Sequence, residues 1–279
     1  MGQTYALKSS VVLTCSLRDL DKIRQAELNL LLQKQSKAFL NADLLELGAG
    51  TCQQLTILAN IARSAIGVDL PSSNYKPDRT TNFIWYDGMN LPFASNSFDV
   101  IYSSNVMEHL VNENELHHEM RRVLRRNGIA IHVVPSSTWR LWTTAVYCFV
   151  TPARVVSFMR RCRVGNRDQQ AFTRTWEREN SFQSIFLNLL CPQRHGEKGN
   201  RFTEWWYFRG ASWRRRFEEL GWIVVDAEGI GLFYSGYLLG AKFLPINARK
   251  LLARFLGSSC LIFVLKPAME TLSNVDASS

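Results

Sequence analysis

The feature that most constrains this chain is a repeated alternation of short apolar strands with helices. Ala42-Asp43-Leu44-Leu45-Glu46-Leu47 reads as a strand ending in Gly48-Ala49-Gly50-Thr51, and an apolar helix is predicted from Gln53 to Arg63. Three further runs repeat the strand form: Ser64 to Asp69, Asn82 to Asp87, and Ser97 to Ser104. A helix predicted from Glu113 to Arg126 stops at Asn127-Gly128 and leads into a fifth strand, Ile129 to Val134, closed by Pro135. Units of this length predict a parallel sheet with helices on both faces. Upstream, Asp19 to Phe39 has the spacing of a helix, with Ile23, Ala26, Leu30, Leu31 and Lys34 in register.

After Pro135 the rhythm breaks. Trp139 to Gly221 is rich in Trp, Phe and Arg and shows no strand alternation until a helix from about Ser212 to Leu220. Two strands follow, Trp222 to Ala227 and Ser259 to Lys266. The apolar segment from Gly229 to Gly257 reads as an insertion between them, with the two strands antiparallel at the sheet edge. The fold expected is α/β: a Rossmann-like, doubly wound, seven-stranded, mostly parallel sheet with a C-terminal antiparallel edge strand.

Composition narrows the class. Apolar residues at 46% and charged residues at 20% suit a folded globular chain rather than a disordered one. A formal net charge of +9 favours an anionic partner: a charged cofactor, nucleic acid or an acidic membrane surface. The six cysteines form no C-x-x-C pair and no Cys/His ligand spacing, which argues against a local zinc motif and a disulfide scaffold. No signal peptide and no apolar run of about 20 residues is read, so a cytoplasmic protein, peripheral at a membrane at most, is expected.

The sharpest motif is Glu46-Leu47-Gly48-Ala49-Gly50-Thr51 between strand and helix. Its glycines permit a tight turn and close approach of a ligand, and the helix start offers unpaired N–H groups. Asp69 closes the next strand 21 residues after Gly48, where a ribose-binding carboxylate belongs. A dinucleotide site wants a further glycine where Gln53 stands, which weakens a nicotinamide reading. S-adenosylmethionine, with a ribose diol, an adenine edge and a sulfonium but no pyrophosphate, is the competing cofactor.

From Asp43 to Pro135 the chain resembles the class I S-adenosylmethionine-dependent methyltransferases of the small-molecule, ubiquinone-biosynthesis-like group (methyltransferase type 11). The resemblance rests on an ordered series: Asp43 to Thr51; Gly67-Val68-Asp69-Leu70; Asp87-Gly88-Met89-Asn90-Leu91-Pro92-Phe93 with Ser97-Phe98-Asp99-Val100-Ile101; Asn105-Val106-Met107-Glu108-His109-Leu110; and Glu119 to Gly128. Cys52 departs from it where a third glycine is usual, with crowding expected at most. Asn127-Gly128 departs from the usual turn. The resemblance implies that Gly48, Ala49 and Gly50 line the methionine part and ribose, with Glu46 beneath them. Asp69 would bind both ribose hydroxyls and Leu70 would pack on adenine. Asp87 would accept from the adenine amino group beside the Gly88 backbone, and Asn105 would offer its carbonyl near the sulfonium. The same resemblance divides one domain, 1–279, into an N-terminal helical segment (1–41), a cofactor-binding core (42–137), a substrate-covering insertion (138–220) and C-terminal edge strands with an apolar insert (221–279).

Candidate catalytic residues are His109, in the loop after the fourth strand, and His195 and Glu197, in Arg194-His195-Gly196-Glu197 of the covering region. A helix-capping or core role for His109 and a salt-bridged surface loop for Glu197 stand beside that reading. No metal is expected. Glu108-His109 lacks an upstream acid because Asn105 occupies that place, and His117 and His118 fall among charged neighbours that suggest solvated side chains. Nucleic acid is not expected as substrate, since the Asn/Asp-Pro-Pro-aromatic loop is absent and Cys191-Pro192 reverses the order of a cytosine nucleophile. The charge instead edges apolar stretches. Arg154, Arg160, Arg161, Arg163, Arg167 and Arg174 flank Leu141 to Phe158, while Arg249 and Arg254 flank Leu251 to Leu256. Such faces suit an anionic membrane surface and a small-molecule or lipid-like acceptor, or else complete the core. A non-catalytic methyltransferase-like binding protein remains the alternative from another class.

Overall fold

The computed structural model describes residues 17–73, 82–148, 192, 194–236 and 244–268. Seven strands make one sheet: β1 (Asp43–Leu47), β2 (Ser64–Asp69), β3 (Phe83–Trp85), β4 (Phe98–Ser104), β5 (Leu124–Pro135), β6 (Trp222–Gly229) and β7 (Cys260–Pro267). Their order is β3-β2-β1-β4-β5-β7-β6. β1 to β5 pair in parallel, and β7 runs antiparallel between β5 and β6, completing the edge pair. The doubly wound, mostly parallel α/β sheet expected from the strand–helix rhythm is present. Leu44, Leu45 and Leu47 of β1 are wholly buried, as the apolar residues of a strand must be when both sheet faces are covered.

The helices are α1 (Leu17–Phe39), α2 (Gln53–Ala59), α3 (Glu113–Val123), α4 (residues 137–148), α5 (Glu204–Tyr207), α6 (Gly210–Glu219) and α7 (Ile246–Leu256). The segment read as irregular after Pro135 therefore holds α4 and α5, α6 is the helix expected from about Ser212 to Leu220, and α7 lies in the insertion between β6 and β7. Two helices end earlier than their sequence spacing suggests. α2 closes at Ala59 because Ile61 and Ala62 donate back to Leu58 and Arg63 donates its amide to Ala42, which starts the turn into β2. α3 closes at Val123 because Leu124 pairs with Phe98 in the sheet, a bulge following between Phe98 and Val100. Arg125, at the start of β5, then reaches Asp43 at 2.8 Å and Asp99 at 2.7 Å, across the amino ends of β1 and β4. Hydrogen bonds from Arg63 and Ser64 hold the Asp43 carboxyl well below the usual carboxylate range.

Two expectations about side chains are corrected. His117 is buried rather than solvated: it shares the inward face of α3 with Leu116, Met120 and Val123, and its Nδ1 accepts from Trp222 Nε1 at 2.8 Å. His118 points outward and is exposed. Arg249 does not edge an open apolar face, since it is buried with its guanidinium donating to the Leu244 and Phe233 carbonyls. On α7 it is Leu251 and Phe255 that are exposed. Arg154, Arg160, Arg161, Arg163, Arg167 and Arg174 lie outside the described residues.

Candidate active site

The carboxyl ends of β1 and β4 lie side by side where the winding of the sheet reverses, the place at which doubly wound sheets bind ligands. The turn after β1 is built from left-handed residues: Gly48 at φ +68°, Gly50 at φ +55° and Cys52 at φ +62°. Gly48 and Ala49 both donate to the Val68 carbonyl of β2, and Gly50 donates to Asp69 Oδ2 at 2.9 Å. A Cβ on Gly48 would collide with Val106 Cγ2, so the loop after β4 packs on bare backbone there. Cys52 departs from the family pattern in conformation, not in crowding. It is the buried N-cap of α2, held where a side chain is disfavoured.

Asp69 sits at the carboxyl end of β2. Besides Gly50, its carboxylate accepts from the Leu70 amide at 2.7 Å and Ser73 Oγ at 3.2 Å. A carboxylate offers about four acceptor sites, so three internal bonds leave room for a ligand hydroxyl. Asp87 has a similar inventory: Met89 and Asn90 amides on Oδ1 and Asn90 Nδ2 on Oδ2. It is exposed, and its bonds from Asn90 and Met89 hold its carboxyl below the usual range. Gly88 (φ +88°) has Leu70 Cδ2 at 3.0 Å from its Cβ position, so Leu70 and the Gly88 backbone share one edge of the crevice.

Glu46 lies beneath the turn, 3% exposed, opposite Gly67 of β2 and Tyr102 of β4. Burial, and then the charge of Asp69, push its carboxyl well above the usual range against one backbone bond from Leu55. Its Oε2 has no hydrogen-bond partner. An orphaned buried oxygen under a glycine turn is the observation that a donor-bearing cofactor, such as one with an amino group, would resolve. Asn105, at φ +55°, turns the chain away from β4, with its amide on the Val133 carbonyl and its side chain between Ser104 Oγ and Cys260 Sγ.

Past Asn105 a 3-10 turn, Met107–His109, presents Glu108 inward and His109 outward. Partial desolvation lowers the His109 pKa from its ordinary value, opposed by the charge of Glu108. The turn carrying His195 packs on it: Glu197 donates its amide to the Glu108 carbonyl at 2.8 Å, and the His109 and His195 rings lie 4.9 Å apart. Glu204 fixes that turn, its Oε1 accepting from the His195 and Gly196 amides at 2.5 and 2.6 Å, while Arg140 Nε lies 3.0 Å from Oε2. Arg140 also donates to the Pro192 and Arg201 carbonyls. The structure thus brings His109 and His195 together. Glu197 turns elsewhere, its exposed carboxylate bound to Arg194 at 2.9 Å in its own loop. Sequence reasoning gave no role to Glu108, Glu204 or Arg140; only the Glu108-His109 pair carried a signal.

A family model described as "Methyltransferase domain" matches residues 45–132. Uncharacterized methyltransferases of Mycobacteroides abscessus and Mycobacterium avium are each 46% identical, over 54 and 52 residues, or 19% of this chain. The match spans only 21% of the length of either relative. Among solved structures, an S-adenosylmethionine-dependent methyltransferase from Mesorhizobium loti is 14% identical over 85% of this chain and 99% of its own, with a TM-score of 0.48. One from Aquifex aeolicus is 11% identical over 88% and 96%, with a TM-score of 0.44. Over residues 45–132 the ordered motifs on this sheet and the family match coincide, so that part of the chain is similar to the class I S-adenosylmethionine-dependent methyltransferases.

Proposed function

We propose that the protein transfers a methyl group from S-adenosylmethionine to a small-molecule or lipid-like acceptor. The observation that carries this reading is the Gly48–Gly50 turn tied to Asp69 at 2.9 Å over the orphaned Glu46 oxygen. Asp69 would hold the ribose hydroxyls, Leu70 and Gly88 the adenine, Asp87 its amino group, and Glu46 the amino group of the methionine part. When bound, the cofactor supplies an electrophilic methyl group. The chain's own contribution is to align the acceptor and manage its proton. His109 and His195 stand on the acceptor side, where an alcohol would need its proton taken up.

Calorimetry with S-adenosylmethionine and with NAD is the direct test: binding of the first and not the second is expected. Asp69→Ala is expected to weaken binding by about 1–3 kcal/mol, through lost charge-assisted hydrogen bonds. Unchanged affinity would remove Asp69 from the site. Screening acceptors for release of S-adenosylhomocysteine would then identify the substrate.

A lipid-like acceptor is supported by the exposed side chains of Leu141, Phe202, Trp205, Trp206, Leu251 and Phe255 on a chain of net charge +9. Among the described residues no helix is long and apolar enough to cross a membrane, so contact there would be at the surface. Flotation with anionic vesicles at low salt should carry the protein upward. Its failure to bind would leave only soluble acceptors.

A further inference from the structure

We propose that Glu108, His109 and His195 bind one divalent transition-metal ion of the zinc or cobalt kind. Their ligand atoms all lie within 4.8 Å of one another, and two imidazoles with one carboxylate are a ligand set such ions favour. Glu108 is 1% exposed, yet neither of its carboxylate oxygens has a hydrogen-bond partner. Three other buried carboxylates are provided for: Glu27 by Arg24 and Tyr234, Glu113 by Arg216 and Lys198, Glu204 by Arg140 and two amides. A buried carboxylate without donors is costly, and a cation resolves it.

The distances suit ligands better than a hydrogen-bonded dyad. Glu108 Oε1 stands 3.8 Å from His109 Nε2 and 3.7 Å from His195 Nε2, too long for hydrogen bonds. Ligands at about 2.0–2.2 Å around a tetrahedral ion are separated by roughly 3.4 Å, so a small closure of the three atoms completes the shell. The frame is already set. Gly196 has Glu108 O at 2.9 Å from its Cβ position, so only glycine lets the His195 turn sit this close. The Trp139 ring backs His195 at 4.7 Å. Both histidines are exposed, which leaves the remaining coordination position open to water or to an oxygen of the acceptor. An ion there would acidify a bound hydroxyl, which gives the proton management of the proposed methyl transfer a specific agent. That role rests on the methyltransferase reading; the binding of the ion does not.

The test uses the full chain, stripped with chelator and titrated with Co²⁺. One equivalent is expected to bind with the strong visible absorption of a low-coordinate nitrogen–oxygen site, and Zn²⁺ should displace it. His195→Ala and Glu108→Gln should each weaken binding at least tenfold, while His118→Ala, on the exposed face of α3, leaves it unchanged. No saturable absorption, or absorption that survives both His195→Ala and Glu108→Gln, overturns the site. S-adenosylmethionine calorimetry on the same samples separates the two readings. Cobalt without cofactor binding defeats only the proposed function, and cofactor without cobalt binding defeats only the metal site.

Discussion

Glu204→Gln is expected to destabilise the protein by about 3–5 kcal/mol, the range for breaking a buried ion pair from one side. Glu204 is fully buried and Arg140 is 2% exposed, so removing the carboxylate charge takes the Glu204 ion pair from a buried guanidinium. The same substitution weakens the anchor for the His195 and Gly196 amides, which now share a single charged oxygen. Stability and site should therefore fall together. Urea unfolding would read the first, and cobalt affinity the second. Arg140→Met should cost a similar amount, and the double variant less than the sum of the two, because both single changes break the same ion pair. A Glu204→Gln protein within about 1 kcal/mol of wild type would show that water or the neighbouring carbonyls already carry Arg140.

This pair also shows where sequence reading runs out. The central strands were legible because their apolar runs and glycine punctuation are local signals; β1, β2, β3 and β4 are bounded within a residue or two, whereas β5 begins at Leu124, five residues before the expected Ile129. The Gly48–Gly50 turn and Asp69 were legible because their spacing along the chain reflects one strand–helix–strand unit. α3 was read three residues too long, since Leu124, Arg125 and Arg126 continue a good helical stretch; pairing of Leu124 with Phe98 and of Arg125 with Asp43 and Asp99 overrides that propensity. At Thr203-Glu204-Trp205-Trp206-Tyr207 the apolar signal is inverted. The three aromatics are exposed and the acid is buried, a choice decided by Arg140 from a helix some sixty residues earlier. The meeting of Glu108 with His195 has no periodic signature, because it joins two loops across the fold. Only the adjacent Glu108-His109 hinted at it, and a single pair without a third ligand is weak evidence.

Acidification from pH 7.5 toward pH 5 is expected to lower stability, through a balance of opposing protonations. His132 is wholly buried, with Nδ1 on Ser103 Oγ at 2.8 Å and Nε2 without a partner, and burial depresses its pKa to about 3. His117 is lowered well below 6.5 by burial, then by the charges of His132, Arg216, Arg121 and Lys198. Unfolded, both would titrate near pH 6.5, so below that value the unfolded chain binds more protons and stability falls as pH falls. Glu46 works in the opposite direction. Its raised pKa keeps a proton in the folded state that the unfolded chain releases above about pH 4.5, which favours folding as pH falls. A group charged in one state and neutral in the other is worth about 1.4 kcal/mol per pH unit, and the lowered histidines, His132, His117 and His109, together outweigh Glu46 and leave a net loss of stability below pH 6.5. The carboxylates with depressed pKa values, Asp43 and Asp87 among them, enter only below about pH 4 and do not confuse the window. Urea midpoints measured between pH 5 and 7.5 should therefore shift in opposite senses in two variants. His132→Gln removes one titrating histidine and flattens the slope. Glu46→Gln removes the compensating carboxyl and steepens it. Equal slopes in wild type and His132→Gln would mean that the imidazole gains its proton inside the fold, despite the Phe217 ring stacked on its face.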